Sequence, residues 1–469
     1  MTSQGLFSVQ IQVAGMAAEK SNPETGKEKK YRLTLTMGET IMAMVFPRQI
    51  TMFVYRDGRG KGKTMMKATS YLEGRRIVTD FVSPVGTELC PIELSSGRIL
   101  AEDLIAAQNV PPFDRSPFDG YVFQAEDSRN ASREAPITLR ILEEIPASGI
   151  PRFPITAGTA SKILTGAPIP EGGDAVVPFE HTEFTEETVT LFSPCTPGTN
   201  IVRIGEDIRK GSLLTEKGTL IDPGVMGSLA AQNITRPLVY RRPRVAVLAT
   251  GSELVELGHD LAPGKIHDTN SYSMAGAIRD QGAEPVYYRA VNDSVEAIAE
   301  GLEKSLSECD AVVTTGGVSV GDYDLTPAAM EAIGAEIFFR KVDLKPGMAC
   351  AYGQKNGKLI CGLSGNPASS ITNFYAIAMP AFRKLCGMAD YEIHEFPIRL
   401  AERFGKASPN NRMLRGFLEL TDGTVRMRLS KGQGNVMISG LIGCDVAAVI
   451  PAGSGPLEAG TELKGFFLR

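Results

Sequence analysis

Tryptophan is absent from the 469 residues, and histidine occurs only four times. The histidines never fall at metal-ligand spacing, which argues against a zinc site. The seven cysteines (Cys90, Cys195, Cys309, Cys350, Cys361, Cys386, Cys444) are scattered, odd in number and never spaced C-x-x-C. Buried free thiols in a reducing compartment are therefore expected. No G-x-G-x-x-G follows an apolar run, which disfavours a nicotinamide dehydrogenase. Positive charge is not in excess: Lys plus Arg is 49, Asp plus Glu is 54 and the net charge is −5. Such a chain has no global basic field to favour nucleic acid. The longest apolar candidate, TIMAMVFPRQITMFVY, is broken by Pro47 and Arg48. Neither a signal peptide nor a membrane span is expected, and a cytoplasmic location follows.

What is present suits a soluble multidomain protein. Apolar residues make up 43% and charged residues 22%, and 49 glycines imply many tight loops. At roughly 150 residues per domain the length allows about three or four domains.

Residues 1–75 hold two basic clusters, KEKK at 27–30 and RDGRGKGK at 56–63, around a β-prone stretch. DGRGKGKT misses the P-loop pattern, because Asp57 stands where glycine is required; a basic hairpin turn or a mobile appendage is expected instead. From about 88, ELCPIELSSGRILAEDLIA reads as a helix. Residues 120–198 carry short β-type runs (YVFQA, ITLRIL, KILTG, AVVPFE, TVTLF) separated by Pro and Gly, which predicts a β-rich module. Residues 243–387 alternate apolar strand-like runs, beginning with VAVLATG, with helical stretches. That alternation predicts helices packed on a mostly parallel sheet. After 390 the chain returns to short strands with Gly-rich turns, a small β-barrel or sandwich.

In open α/β sheets, ligands bind beyond the carboxyl ends of the strands. Four unusual loops map to that edge: ATGSEL, HDTNSY, TTGGVSVGDYD and GLSGNPASS. Glycines let backbone approach a ligand, and amides at a helix start attract anions. Asp322 and Asp324 beside a phosphate cradle would suit Mg2+ held between protein and phosphates. Taken singly, each loop has a plainer reading as a tight turn, with Asp324 capping the next helix. Together they point to a binding site. Ser364 resembles a nucleophile only superficially, since no histidine is near it in sequence.

PPFDRSPFDGYVF, ILTGAPIPEGGDAVVPFE, GEDIRKG, TGSEL, GKIHDTN, TTGGVSVGDYD, LKPGMA and CGLSGNPASS occur in this order from about residue 88 onward. The ordered set resembles the molybdopterin molybdotransferases, the MoeA type that includes the gephyrin E domain. The resemblance implies a multidomain α/β plus β fold. Residues 1–75 would be an extension outside it, 76–119 with 199–240 an elongated linker domain, and 120–198 a β-rich insert. Residues 241–388 would be a three-layer α/β domain similar to the molybdopterin-adenylating enzymes, and 389–469 a C-terminal β-barrel.

The implied reaction inserts molybdate into adenylylated molybdopterin and releases AMP with Mg2+ assisting. It would run in a cleft between the subunits of a homodimer, with a molybdopterin-adenylating enzyme and cofactor-accepting enzymes as further partners. Carried over motif by motif, the implied catalytic residues are Asp119, Thr165, Asp207, Glu253, Asp293 and Asp324. Gly316, Gly317, Ser319, Gly365, Asn366 and Pro367 would bind the molybdopterin and its phosphate. Lys341, Lys345, Ser364, Arg415 and Asn435 would bind molybdate, and Asp324 and Glu253 would hold the metal. A dianion needs fixed cations and amides, which the lysines, Arg415 and the SGNP helix start would supply. The chain departs from the family pattern at Phe118, Ser252, Ser364 and Asn435. The last two bear on selectivity between molybdate and tungstate. The competing readings are a molybdopterin adenylyltransferase and a non-catalytic dimeric scaffold of the same fold.

Overall fold

The computed structural model describes residues 68–318, 325–421 and 423–468, and the backbone of four short strands before them. The chain divides into two units, 1–69 and 70–469. In the first, Tyr31–Thr34 pairs with Thr40–Ala43 and Phe53–Arg56 with Gly62–Met65, both antiparallel. The expected basic hairpin turn of RDGRGKGK falls on residues 57–61, which lie outside the described residues.

The second unit is organised by a six-stranded sheet. Its order is Glu284–Val291, Arg244–Thr250, Ala311–Thr315, Lys358–Leu363, Cys350–Lys355 and Glu336–Arg340. The first four strands are parallel, and Cys350–Lys355 runs antiparallel to both Lys358–Leu363 and Glu336–Arg340. Successive strand residues face opposite sides. Val245, Val247, Val313 and Cys361 thus pack with helix Asn270–Asp280 and the 367–385 helical segment. Ala246, Val312 and Ile360 pack with helices Val295–Glu308 and Leu325–Ala332. These two apolar faces are the physical reason for three layers. Helix Tyr71–Phe81 joins the first face through Tyr71, Val78 and Val82. Its Arg75 Nε donates to the Ala376 carbonyl at 2.7 Å, within the π-helical turn Phe374–Ala378.

The insert is a six-stranded sheet in the order Ala175–Pro178, Gly120–Phe123, Thr159–Ile163, Ile137–Ile145, Thr188–Leu191, Thr182–Phe184. The C-terminal strands close on themselves. Asn411–Thr421 pairs with both Thr424–Leu429 and Val446–Ile450, and Phe396–Leu400 and Glu462–Phe467 complete a five-stranded barrel. Closure leaves no free edge. Leu344–Lys345, leaving the α/β sheet, adds in parallel to Asn411–Arg412 and ties the two domains.

The helix expected from about 88 does not form. The segment instead holds strand Thr87–Leu89, a 3-10 turn Ile92–Leu94 and strand Leu104–Ile105. Pro91 lacks an amide hydrogen and Gly97 adopts φ +73, so a helix is interrupted twice. Pairing with the 213–240 segment wins, with Leu100 donating to the Thr219 carbonyl and Ala101 to that of Leu238. All seven cysteines are free and all but Cys195 are buried. Among the described residues, no helix is long and apolar enough to cross a membrane.

Candidate functional site

At the carboxyl edge of the parallel strands the backbone is bare by necessity. Gly316 adopts φ +105, and a side chain there would lie 2.4 Å from the Thr250 carbonyl oxygen. Gly317, at φ +65, would collide with Thr326 Oγ1 at 2.5 Å. That hydroxyl donates to the Gly316 carbonyl at 3.0 Å, and the Thr326 amide donates to the Gly317 carbonyl at 3.0 Å. A side chain at Gly365 would meet the Gly316 Cα at 3.5 Å, so these two loops touch. Asn270 Nδ2 donates to the Gly365 carbonyl at 2.8 Å and brings in a third loop. Thr250 Oγ1, Thr315 Oγ1 and Asn270 Oδ1 are buried along this edge without a partner among the described residues. Buried polar groups left unpaired in a protein call for an explanation, and a bound polar ligand supplies one.

Glu253 lies on the loop after strand Arg244–Thr250, and Asp293 on the loop after its neighbour Glu284–Val291. The Ser252 amide points at Asp293 Oδ2 at 3.4 Å, and a side chain at Gly251 would meet Glu253 Oε2 at 2.7 Å. Lys265 Nζ donates to the Ser252 carbonyl at 2.6 Å. Asp324 and Ser319 lie outside the described residues. Among the described residues no three His, Cys, Asp or Glu side chains form a metal cage. Mg2+ does not need one, since it is commonly held by one or two carboxylates plus substrate phosphates. The exposed, hard carboxylate oxygens of Glu253 and Asp293 fit that requirement.

The barrel meets the α/β domain at the start of helix Pro367–Asn373. The Asn366 amide donates to Ser364 Oγ at 3.2 Å, and the Ala368 amide to the Asn435 carbonyl at 3.1 Å. Pro367 has no amide hydrogen, so this helix start is largely satisfied within the protein rather than held open for an anion.

Arg415, expected to bind molybdate, lies buried at this junction. It is 1% exposed. Its Nη1 donates to Thr372 Oγ1 at 3.0 Å and its Nη2 to the Gly432 carbonyl at 2.8 Å, while Nε is buried without a partner among the described residues. Burial pushes its pKa down from the usual range. The sequence carries no signal of this, because the β-strand alternation at 415 does not reveal which domain covers it. Lys345 is exposed and Lys341 half-buried, with Lys341 in the left-handed region at φ +63. Sequence reasoning missed the residues that hold this loop. The Gly347 carbonyl accepts from Asn373 Nδ2 at 2.6 Å, and Tyr352 Oη donates to Asn373 Oδ1 at 2.6 Å.

A second cluster sits in the insert. Asp119 Oδ1 accepts from the Thr165 amide at 2.7 Å and from Thr165 Oγ1 at 2.8 Å. These two bonds, aided by Lys162, hold the carboxyl below the usual carboxylate range. A side chain at Gly120 would lie 2.1 Å from the Val177 carbonyl oxygen, so the turn that carries Asp119 is pressed against the sheet. Asp207 is exposed in the linker, its amide donating to the Val110 carbonyl at 3.0 Å. Among the described residues, no hydrogen bond or ion pair joins Asp119, Thr165 or Asp207 to the α/β edge.

Comparison with known proteins fits this architecture. Residues 69–232 match the MoeA N-terminal region (domain I and II), and 246–384 match the probable molybdopterin binding domain. The molybdopterin molybdenumtransferase of Staphylococcus epidermidis is 37% identical over 369 residues, 79% of this chain and 88% of that protein. That of Bacillus subtilis is 33% identical over 402 residues, 85% and 93% of the two chains. The crystal structure of the molybdopterin biosynthesis MoeA protein from Pyrococcus horikosii superposes with a TM-score of 0.74 at 32% identity, covering 86% of this chain and 100% of that one. With such identity across nearly the whole length of these relatives, the chain belongs to the molybdopterin molybdenumtransferases, the MoeA family of transferases in molybdenum cofactor biosynthesis.

Proposed function

We propose that the protein inserts molybdate into adenylylated molybdopterin and releases AMP, with Mg2+ assisting, in a cleft completed by a second subunit. The glycine-lined edge carries this reading. Gly316, Gly317 and Gly365 keep side chains off an edge where Thr250 Oγ1, Thr315 Oγ1 and Asn270 Oδ1 lack partners among the described residues. A phosphorylated heterocycle brings both donors and acceptors to such a surface.

In this reading Gly316, Gly317, Ser319, Gly365, Asn366 and Pro367 line the molybdopterin phosphate position. Lys341 and Lys345 hold the oxyanion by charge-assisted hydrogen bonds, each contributing about 1.5–3 kcal/mol when well desolvated. Ser364 and Asn435 border it, and Arg415 supports it from within the barrel junction. Glu253 and Asp324 hold Mg2+, with Asp293 adjoining; the bound ion supplies neutralisation of charge on the phosphates.

Asp119, Thr165 and Asp207 of one subunit face the α/β edge of the other. That no hydrogen bond or ion pair among the described residues joins them to that edge within one chain is in keeping with a shared cleft. So are apolar side chains exposed on the linker, Leu89 at 57%, Leu94 at 70% and Leu213 at 50%. The enzyme works in the cytoplasm between a molybdopterin-adenylating enzyme and cofactor-accepting enzymes.

The test supplies purified protein with adenylyl-molybdopterin, Mg2+ and molybdate or tungstate, and measures AMP. AMP release that needs both oxyanion and Mg2+ is the expected result. Formation of adenylyl-molybdopterin from molybdopterin and ATP alone would assign the adenylating activity instead.

A further inference from the structure

We infer that Asn373 is a positioning residue that sets Lys345 at the oxyanion position, an inference that rests on the reading of Lys345 given above. The loop that carries Lys345 is closed at its base, where Lys341 donates to the Cys350 carbonyl and Val342 to that of Met348, each at 3.0 Å. On one side the barrel holds it. Asp343 Oδ2 accepts from Asn411 Nδ2 at 2.9 Å, and Lys345 pairs in register with Arg412. On the other side it rests on helix Pro367–Asn373. Gly347 adopts φ +104, and a side chain there would lie 3.0 Å from Asn373 Cβ and 3.1 Å from the Ser369 carbonyl oxygen.

The Asn373 side chain is the polar fastener at that contact. It donates to the Gly347 carbonyl and accepts from the Tyr352 hydroxyl, both at 2.6 Å, and Asn373 and Tyr352 are both 0% exposed. Phe374 and Ile377, which continue the helical segment, are buried in one apolar cluster with Tyr352. Hydrogen bonds in such low-dielectric surroundings are directional, and neither half can be given up cheaply. An amide is the side chain that donates to a carbonyl and accepts from a phenol at once; leucine does neither. Gly347 is two residues from Lys345, while the opposite end of the same helix begins at Gly365–Asn366. Asn373 therefore fixes the distance between the lysine loop and the glycine edge. An exposed lysine on a long flexible stem is a poor anion ligand unless its backbone is so held.

Steady-state kinetics of the full-length protein test this. Asn373→Leu should raise the KM for molybdate about tenfold, the effect of losing one good anion contact, while kcat and the KM for adenylyl-molybdopterin stay within about twofold. Asn373→Asp should restore the molybdate KM to within about threefold, because a buried carboxyl stays protonated and can both donate to Gly347 and accept from Tyr352. Tyr352→Phe leaves the bond to Gly347 and should change the molybdate KM less than about twofold. Should Asn373→Leu not fold, Asn373→Ser, too short to reach Gly347, is read in the same way. A variant with a lowered melting temperature but an unchanged molybdate KM would overturn the inference, since that is how a purely structural residue behaves. Lys345→Ala separates the two levels. If it leaves the molybdate KM unchanged, the assignment of Lys345 fails and the inference with it. If Lys345→Ala raises that KM and Asn373→Leu does not, only the inference fails.

Discussion

The guanidinium of Arg415 and the hydroxyl of Thr372 meet at 3.0 Å across the junction of barrel and α/β domain. Arg415 also donates to the Gly432 carbonyl at 2.8 Å, so one buried side chain joins helix Pro367–Asn373 to the 430–435 loop. Arg415→Ala opens a cavity and strands both acceptors, an expected loss of about 3–5 kcal/mol in urea denaturation. Arg415→Lys should recover little of it, because an ammonium cannot reproduce the planar fork. A lysine variant as stable as the parent would refute the bracing role.

Asp119 is expected to stay ionised to lower pH than an ordinary aspartate. Its folded-state pKa is depressed by the two bonds from Thr165. The bonds favour the folded state above the unfolded carboxyl pKa of about 3.9 and are lost as pH falls through the lower folded value. Thr165→Val removes the hydroxyl but keeps the amide, so the pKa of Asp119 should move part of the way back up. Carboxyl-carbon NMR titration reads this directly; no movement would mean that the hydroxyl plays no part.

Gly316 tolerates no side chain. Gly316→Ala places a methyl 2.4 Å from the Thr250 carbonyl oxygen at φ +105, which forces backbone to move. A loss of about 2–3 kcal/mol is expected, along with loss of AMP release. Gly334→Ala is the control, since φ there is +75 but nothing lies within 4 Å of the added methyl. Equal stability of the two variants would show that the close approach at Gly316 is relieved without cost.

A cleft shared between subunits makes a complementation experiment decisive. At molybdate concentrations well below the KM of Lys345→Ala, the Asp119→Asn and Lys345→Ala proteins should each have low activity. Mixed and allowed to exchange, they should recover up to about a quarter of wild-type activity, because half the dimers are hybrids and each hybrid holds one intact site. No recovery, with exchange verified by mass spectrometry, would place each complete site within one chain.

Much of the architecture was legible in the sequence. The alternation of apolar strand-like and helical runs from VAVLATG onward encodes a sheet buried on both faces, because a continuous apolar run is a local property of the chain that such a strand needs. The ordered glycine motifs likewise marked Gly316, Gly317 and Gly365, because positive φ and close backbone approach leave glycine as the residue that fits. Residues 88–105 misled, since local helix propensity lost to pairing with strands more than a hundred residues away. The burial of Arg415 and the roles of Asn373 and Tyr352 were beyond reach for the same reason. Whether an arginine faces an anion or braces a junction depends on which distant segment covers it, and partners such as Thr372 for Arg415 and Gly347 for Asn373 are neighbours only once the domains have packed.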